Sequence, residues 1–269
     1  MGAGSDARYG LERVEHIMGM PVLVDVRDPD VDPTALERAF AWLRWVDATF
    51  STYKAGSAIN RLNRGEVTLA EAHPDVRAVL ARCEQLREET EGYFDIRVYV
   101  GPNDRRDDAT LAIGAVDPSG LVKGWSVDRA ARLLEDAGAR NYAINAGGDI
   151  RVHGRPGDAP CWRVGIRHPL QHDRVAAVIA ATDLAIATSG TYERGAHIVD
   201  PHTGAPPEGV LSVTVVGPDL ATADAYATAA FAMGRDGPAW TAGLASRGYE
   251  ALTILADETV LSTRGFPAA

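Results

Sequence analysis

Several segments of the chain repeat apolar residues at helical spacing, which predicts helices with one face on a core. The first begins after Asp32-Pro33, where aspartate can cap the helix and proline suits the first turn. The second begins near Pro74 and ends at Gly92. The core-facing residues are Leu36, Phe40, Leu43 and Val46 in the first helix, and Val76, Val79, Leu80, Cys83 and Leu86 in the second. Further helices are predicted at residues 123–137, 222–233 and 238–245.

Shorter apolar runs predict strands. They lie at residues 16–26, 142–145, 150–153, 162–167, 175–181, 211–216, 252–255 and 259–262, with a further strand ending near Ser189-Gly190. Strands and helices do not alternate regularly, which favours an α+β fold with mixed or antiparallel sheets over a doubly wound parallel sheet. Residues 101–114 are predicted to form a charged surface loop. We expect a flexible tail over residues 1–10 and one compact domain over residues 11–269.

The balance of charges narrows the possible functions. The 269 residues carry a formal net charge of −10, and 46% of them are apolar. Broad electrostatic attraction to nucleic acid or anionic lipid is therefore not expected. An anionic cofactor would need a local device, such as a metal ion or a helix N-terminus, to offset the repulsion.

The two cysteines, Cys83 and Cys161, lack the CxxC spacing of a zinc site, and a structural disulfide between them is not expected. The first ten residues have neither the basic nor the apolar region of a signal peptide. No run of apolar residues reaches the 18 or so that a membrane span needs. These features predict a soluble, cytoplasmic protein.

Asp224 and Thr228 form the first candidate site. They are four residues apart on a predicted helix, so their side chains project from one face. A carboxylate and a hydroxyl are hard oxygen ligands that suit Mg²⁺, which also takes oxygens from a phosphate ligand. The alternative is that Asp224 caps the helix or is solvated, and that Thr228 packs among the alanines.

His197 is the candidate for proton transfer. It stands in the run Ala196-His197-Ile198, shortly before Asp200-Pro201. A neutral imidazole could accept a proton from an incoming hydroxyl, because its reference pKa is near neutrality. A histidine in an apolar run can equally be a packed, hydrogen-bonded residue.

Two turns could hold an anion. Ser189-Gly190 ends a strand where hydroxyls and backbone N–H groups could meet a phosphate, and the segment 117–124 opens a helix whose Lys123 could add a positive charge. The spacing of a P-loop is missing, and residues 145–149 lack the GxGxxG of a dinucleotide-binding fold. Tyr53 and Phe94 lie in polar loops, where an aromatic ring can stack on a flavin or adenine or can seal the edge of a core.

Taken together, these segments resemble the ApbE family of FAD:protein FMN transferases over nearly the whole chain. The matching segments occur in the family's order. They are Met18-Gly19, Ser51-Thr52-Tyr53, Tyr93-Phe94-Asp95, residues 117–124, Gly147-Gly148-Asp149, Thr188-Ser189-Gly190, residues 197–201 with Thr203-Gly204, and residues 224–228.

The resemblance implies the family's α+β fold, FAD as a substrate and a bound Mg²⁺. It implies side-chain metal ligands at Asp224 and Thr228, completed by the backbone around Gly120 and at Ala227. His197 matches a histidine suspected of acting in catalysis, and Asp117 is the alternative base. The positions matched to FAD binding are Met18, Tyr53, Tyr93, Phe94, Asp95, Asp117, Lys123, Ser189 and Leu211.

The implied reaction moves FMN from FAD onto a threonine or serine hydroxyl of an acceptor protein and releases AMP. The expected acceptor is a flavin-dependent reductase. Two alternatives stay open. One is an FAD pyrophosphatase that uses the same metal site with water as the nucleophile, and the other is a flavin-binding protein without catalysis.

Overall fold

The computed structural model describes residues 10–97, 115–171, 173–190 and 198–269. Its strands are β1 (Leu11–Ile17), β2 (Met20–Val26), β3 (Tyr142–Ala146), β4 (Asp149–His153), β5 (Trp162–Arg167), β6 (Val175–Ala181), β7 (Leu184–Gly190), β8 (Val210–Gly217), β9 (Glu250–Leu255) and β10 (Val260–Ser262). Eight of them form one antiparallel sheet in the order β1-β2-β3-β4-β7-β8-β9-β10. β5 and β6 form a separate antiparallel pair.

The helices of the described residues are α1 (Thr34–Phe50), α2 (Ala58–Asn63), α3 (Pro74–Glu89), α4 (Ser119–Asp136), α5 (Leu220–Ala232) and α6 (Gly237–Thr241). Short 3-10 turns occupy Gly234–Asp236 and Leu244–Arg247. None of the described helices is long and apolar enough to cross a bilayer.

The large sheet buries different residues on its two faces because successive side chains point to opposite sides. On β7, Ala185 and Ala187 join the core formed with α1, α4 and α5, whereas Ile186 joins a second core under β5 and β6. We call the first side the helix face and the second the back face. The fold is therefore α+β with antiparallel sheets in one compact unit, as predicted.

The hydrophobic pattern located most elements correctly. Strands predicted at 162–167 and 175–181 coincide with β5 and β6, and the helix predicted from Pro74 is α3. The four core positions of α1 are all buried. Asp32 lies just before α1 and accepts a hydrogen bond from the Thr34 backbone N–H (2.8 Å).

Three predictions of local structure were wrong, and two elements were missed. Residues 16–26 are not one strand, because the chain turns at Met18-Gly19, where both residues have positive φ (55° and 75°). Most of β1 was not predicted, because its side chains before Ile17 are exposed or only partly buried and many of them are polar. α4 starts at Ser119 rather than near residue 123, and the six-residue α2 was missed. The helix predicted at 238–245 is divided into α6 and a 3-10 turn. The predicted loop at 101–114 lies outside the described residues, as do residues 1–9 of the predicted tail.

Candidate active site

Several predicted site segments meet at one end of the large sheet, which we call the site end. The turn between β3 and β4 lies beside β2, since the Gly147 N–H donates to the Pro21 carbonyl (3.2 Å). The end of β7 is adjacent, because the Thr188 N–H donates to Asp149 Oδ1 (3.1 Å). Three further features lie at the site end because of the antiparallel pairing. They are the hairpin turn at Met18, the last residues of β7 with Ser189, and the first residues of β8.

α5 presents Asp224 and Thr228 to the site end. Asp219 caps the helix by accepting the Thr222 N–H (2.8 Å), so Asp224 is not the cap. Nor is Asp224 solvated, because it is only 4% exposed. The Thr228 hydroxyl lies 3.4 Å from Ser189 Oγ. The alternative for Asp224, a helix cap or a solvated side chain, is therefore wrong, whereas the roles of Asp224 and Thr228 as metal ligands stay a prediction.

Lys123 connects two buried carboxylates. Its Nζ lies 2.5 Å from Asp149 Oδ2 and 3.8 Å from Asp224 Oδ2. We call Lys123, Asp149 and Asp224 the charged cluster. Its side chains are 19%, 1% and 6% exposed, and one ammonium with two carboxylates gives it a formal charge of −1. Buried charges are tolerated when they are paired.

α4 and α5 meet closely beside the charged cluster. A Cβ on Gly124 would lie 2.4 Å from the Leu220 carbonyl oxygen, so only glycine permits this approach. The Asp128 carboxylate accepts the N–H groups of Leu220 (2.9 and 3.0 Å) and Ala221 (2.9 Å). Burial raises the pKa of Asp128 to about 6 despite these hydrogen bonds.

The two helices run in opposite directions. Asp128, midway along α4, contacts the first turn of α5, whereas Lys123, earlier in α4, contacts Asp224 in the second turn of α5. Continuing this order by one turn carries Gly120 toward Ala227 and Thr228. That these positions share one metal site stays a prediction.

The segment with Tyr93, Phe94 and Asp95 lies along the start of α4. The Asp117 N–H donates to the Ile96 carbonyl (2.7 Å), and Asp117 Oδ1 accepts the Ser119 N–H (3.1 Å) at the first turn of the helix. Three side chains of the segment make separate contacts. The Tyr93 ring packs edge-on against His202, Phe94 lies against Gly120, and Asp95 pairs with Arg97.

Some predicted site residues are not brought to the charged cluster. Phe94 is 3% exposed and packs in the core, as the alternative interpretation of its ring proposed. The Leu211 side chain packs with the back-face core, away from the helix face. Tyr53 is 91% exposed in the turn after α1, so its ring does not seal a core. His197 lies outside the described residues.

Asp149 is a site residue that sequence reasoning missed. It directly follows Gly147-Gly148, whose positive φ values (59° and 101°) suit a tight turn into β4. The segment was recognised, but the carboxylate was not assigned a role. Its burial and its contact with Lys123 depend on tertiary structure, and the only local signal was an acidic residue directly after a glycine turn.

Among the described residues, no group of three or more His, Cys, Asp or Glu side chains could hold a metal ion. The site at α5 has a different composition, with one carboxylate (Asp224) and neighbouring hydroxyls (Thr228 and Ser189). Oxygen donors of this kind suit a hard cation that retains waters. The residues present therefore fit Mg²⁺ better than a thiolate- or imidazole-bound metal.

The chain belongs to the ApbE family, whose model matches residues 18–103 and 104–253. Curated relatives are FAD:protein FMN transferases. That of Haemophilus influenzae is 32% identical over 251 residues, which cover 74% of this chain and 72% of the relative. That of Vibrio cholerae is 41% identical over 131 residues, but this match spans 45% of this chain and only 39% of the relative.

Solved structures of the family share the fold. The flavin transferase ApbE of Vibrio cholerae superimposes with a TM-score of 0.80 at 28% identity, covering 96% of this chain and 98% of that chain. The ApbE protein of Thermotoga maritima gives a TM-score of 0.82 at 24% identity, covering 95% and 97%, and supports the fold alone. The predicted family and fold are confirmed.

Proposed function

We propose that this protein is an FAD:protein FMN transferase that moves FMN from FAD to a threonine or serine hydroxyl of an acceptor protein and releases AMP. The curated relatives named above carry out this activity by name. The observation that carries the proposal is the charged cluster, which lies beside Thr228 and Ser189 at the site end of the sheet. Such a site can bind a cation and the diphosphate of FAD without a basic surface.

We propose that Asp224 and Thr228 bind Mg²⁺ through their side chains, and that the backbone at Gly120 and Ala227 completes the site. When bound, the ion neutralises the charge that builds on the diphosphate as the P–O bond breaks. Lys123 contributes a fixed positive charge on the opposite helix, within 3.8 Å of Asp224. Asp149 holds this ammonium in place.

The acceptor hydroxyl attacks the phosphorus on the FMN side, and AMP is the leaving group. His197 is proposed to take the proton of the attacking hydroxyl, with Asp117 as the alternative base. Met18, Tyr53, Tyr93, Asp95, Asp117, Lys123 and Ser189 remain proposed FAD-binding residues. For Phe94 and Leu211, whose side chains pack in the two cores, the backbone is the part that could contact FAD.

We propose that the acceptor is a flavin-dependent reductase and that residues 11–269 form the transferase domain. The cytoplasmic location also remains a prediction, which cell fractionation would test. None of these three proposals changes the roles assigned to the site residues.

Product analysis tests the reaction class. The protein is incubated with FAD, Mg²⁺ and a candidate acceptor, and the expected products are AMP and acceptor-linked flavin in equal amounts. Release of free FMN with no protein-linked flavin would establish the pyrophosphatase alternative. Binding of FAD without any AMP would establish the binding protein instead.

Variants of the metal ligands and the base test the assigned roles. Asp224→Ala and Thr228→Ala should each abolish FMN transfer, while Thr228→Ser, which keeps the hydroxyl, should retain most of it. His197→Ala should lower the rate by roughly 10²–10⁴-fold, the usual contribution of a general base. Wild-type rates in both metal-site variants would refute the metal assignment, and a change of only a few-fold in His197→Ala would make His197 a packing residue.

A further inference from the structure

Three tryptophans form an aromatic layer on the outer side of α1 and α4. The Trp42 ring stacks on Trp45, with 5.0 Å between the ring centroids, and meets Trp125 edge-on at 5.2 Å. All three residues are only partly buried, so each keeps some contact with solvent. Trp42 Nε1 donates to the Ser126 carbonyl (3.0 Å), which ties the first ring to α4. The layer is therefore an ordered apolar surface.

Exposed arginines continue this surface along α4. The Arg129 guanidinium lies over the Trp42 ring, 5.9 Å from its centroid, and Arg132 is exposed one turn further along the helix. No carboxylate of the described residues forms an ion pair with either arginine. Tryptophan and arginine are enriched among the side chains that dominate binding at protein interfaces. We call Trp42, Trp45, Trp125, Arg129 and Arg132 the tryptophan–arginine patch.

The charge of the patch is opposite to that of the whole chain, which has a formal net charge of −10. Arg38 lies one turn before Trp42 on the same face of α1 and adds a third exposed arginine. Two acids, Asp32 before α1 and Asp136 at the end of α4, lie beyond the arginines. A local positive surface on an acidic protein attracts an acidic segment of a partner.

The patch begins at the end of α1. The Phe50 ring, at the last residue of α1, packs on Trp125 with 5.4 Å between the ring centroids. Trp42, two turns earlier in α1, lies under Arg129, one turn later in α4, so the two helices are antiparallel. The tryptophans therefore lie toward the turn that follows α1, where Tyr53 is exposed, and the arginines lie away from it.

The turn after α1 is tied to the start of α4 through α2. The Asn60 side chain donates to two backbone carbonyls of the turn (2.8 and 3.0 Å). One helical turn later, the Asn63 side chain exchanges two hydrogen bonds with the Val116 backbone (2.9 and 3.0 Å). Val116 directly precedes Asp117, which is a proposed site residue. The aromatic end of the patch therefore borders the proposed site.

We infer that the tryptophan–arginine patch is the docking surface for an acidic segment of the acceptor protein. The acceptor hydroxyl must reach the site, so part of the acceptor must lie on the surface beside it. Carboxylates of the acceptor pair with Arg129 and Arg132, and its apolar side chains cover the indole rings. This inference rests on the proposed function, but it concerns binding of the acceptor and no chemical step.

Charge reversal at Arg129 tests the patch. The assay is FMN transfer from FAD to the purified acceptor protein that the product analysis identifies. Arg129→Glu should raise the KM for this acceptor roughly tenfold, because a pair of opposite charges becomes a repulsive pair. The kcat at saturating acceptor and the KM for FAD should stay within about twofold, since Arg129 is not a site residue. Arg129→Lys, which keeps the positive charge, should retain most of the affinity.

Arg163→Glu, on β5, is the matched control. Arg163 is exposed on the cover of the back face, and its reversal changes the net charge by the same amount. The KM for the acceptor should therefore be that of the wild type. Added salt should raise this KM more for the wild type than for Arg129→Glu, because salt screens the attraction that the variant has lost. Thermal unfolding of each variant confirms that folded proteins are compared.

The outcomes separate this inference from the proposed function. An unchanged KM for the acceptor in Arg129→Glu, or an equal rise in Arg163→Glu, would refute the docking surface while FMN transfer itself stands. A second copy of this chain is the other possible occupant, and sedimentation of the protein alone tests it. A wild-type dimer that Arg129→Glu dissociates would replace the acceptor by that second copy. If the wild type transfers FMN to no protein, the proposed function and this inference fail together.

Discussion

The two faces of the large sheet bury different kinds of side chain. The back face is covered by β5 and β6 and is packed with apolar residues such as Val152, Ile179 and Ile254. The helix face has an apolar core as well, but beside it lie the charged cluster and the buried carboxylate of Asp128. A buried ion pair is often no more stabilising than apolar residues of the same volume. The difference predicts that changes in the back-face core affect stability alone, whereas changes beside the charges of the helix face also affect function.

Variants placed on each face test this division. A change at the α4–α5 contact should affect both folding and FMN transfer. A change in the back-face core should affect folding alone. The first of these is expected to have the largest effect.

Gly124→Ala should lower the free energy of unfolding by more than about 3 kcal/mol and the transfer rate by roughly 10²-fold. The added Cβ would lie 2.4 Å from the Leu220 carbonyl oxygen, and a backbone atom cannot rotate aside. Separation of α4 from α5 would also move Lys123 away from Asp224. Urea unfolding gives the first quantity, and FMN transfer by folded protein gives the second.

Gly56→Ala is the control for Gly124→Ala. A Cβ at Gly56 meets nothing within 4 Å, so the variant should be as stable as the wild type or slightly more stable. If Gly124→Ala unfolded at the same urea concentration as the wild type, the close contact of the two helices would not be needed.

Ile254→Ala, in the back-face core, should lower the free energy of unfolding by about 3 kcal/mol, because a fully buried side chain leaves a cavity. FMN transfer by the folded variant should stay within about twofold of the wild type, since the change leaves the α4–α5 contact intact. Val260→Ala, at a side chain that is 52% exposed, should change stability by less than about 0.5 kcal/mol. A large loss of activity in folded Ile254→Ala would show that the two faces are coupled.

Features that depend on local spacing along the chain could be predicted from the sequence. Periodic patterns located the strands of the back-face cover and the start of α3, because each apolar residue there reports its own burial. The pair Asp224 and Thr228 was found because four residues bring two side chains to one helix face, which is a local property.

Interactions between segments that are far apart in the sequence could not be predicted. The pairing of Lys123 with Asp149 joins a helix to a strand, and no local spacing encodes it. Leu211 was placed in the site by family position, whereas its side chain packs on the back face beside a β-bulge between Val210 and Ser212. A bulge re-aims side chains locally, so a family position does not determine which way the Leu211 side chain points.

The titration of Asp128 gives a small but specific effect, because burial and hydrogen bonding act on its carboxylate in opposite directions. Burial favours the neutral acid, whereas the N–H groups of Leu220 and Ala221 favour the ion, and burial prevails to give a pKa of about 6. The folded protein then binds a proton more tightly than the unfolded chain, whose aspartate has a pKa near 3.8. The contribution of this group to stability is therefore present below about pH 4 and is lost as the pH rises to about 6.

Asp128→Asn removes that titration while keeping one oxygen for the cap. The free energy of unfolding of the wild type minus that of the variant should thus fall by about 1–2 kcal/mol between pH 4 and pH 6. Urea unfolding at each pH measures both values. The difference should be constant above about pH 7, where Asp128 is ionised in both states. A rise of the wild type relative to the variant over the same window would mean that the two N–H donors outweigh burial, so that Asp128 is a charged cap whose ionisation holds α5 against α4.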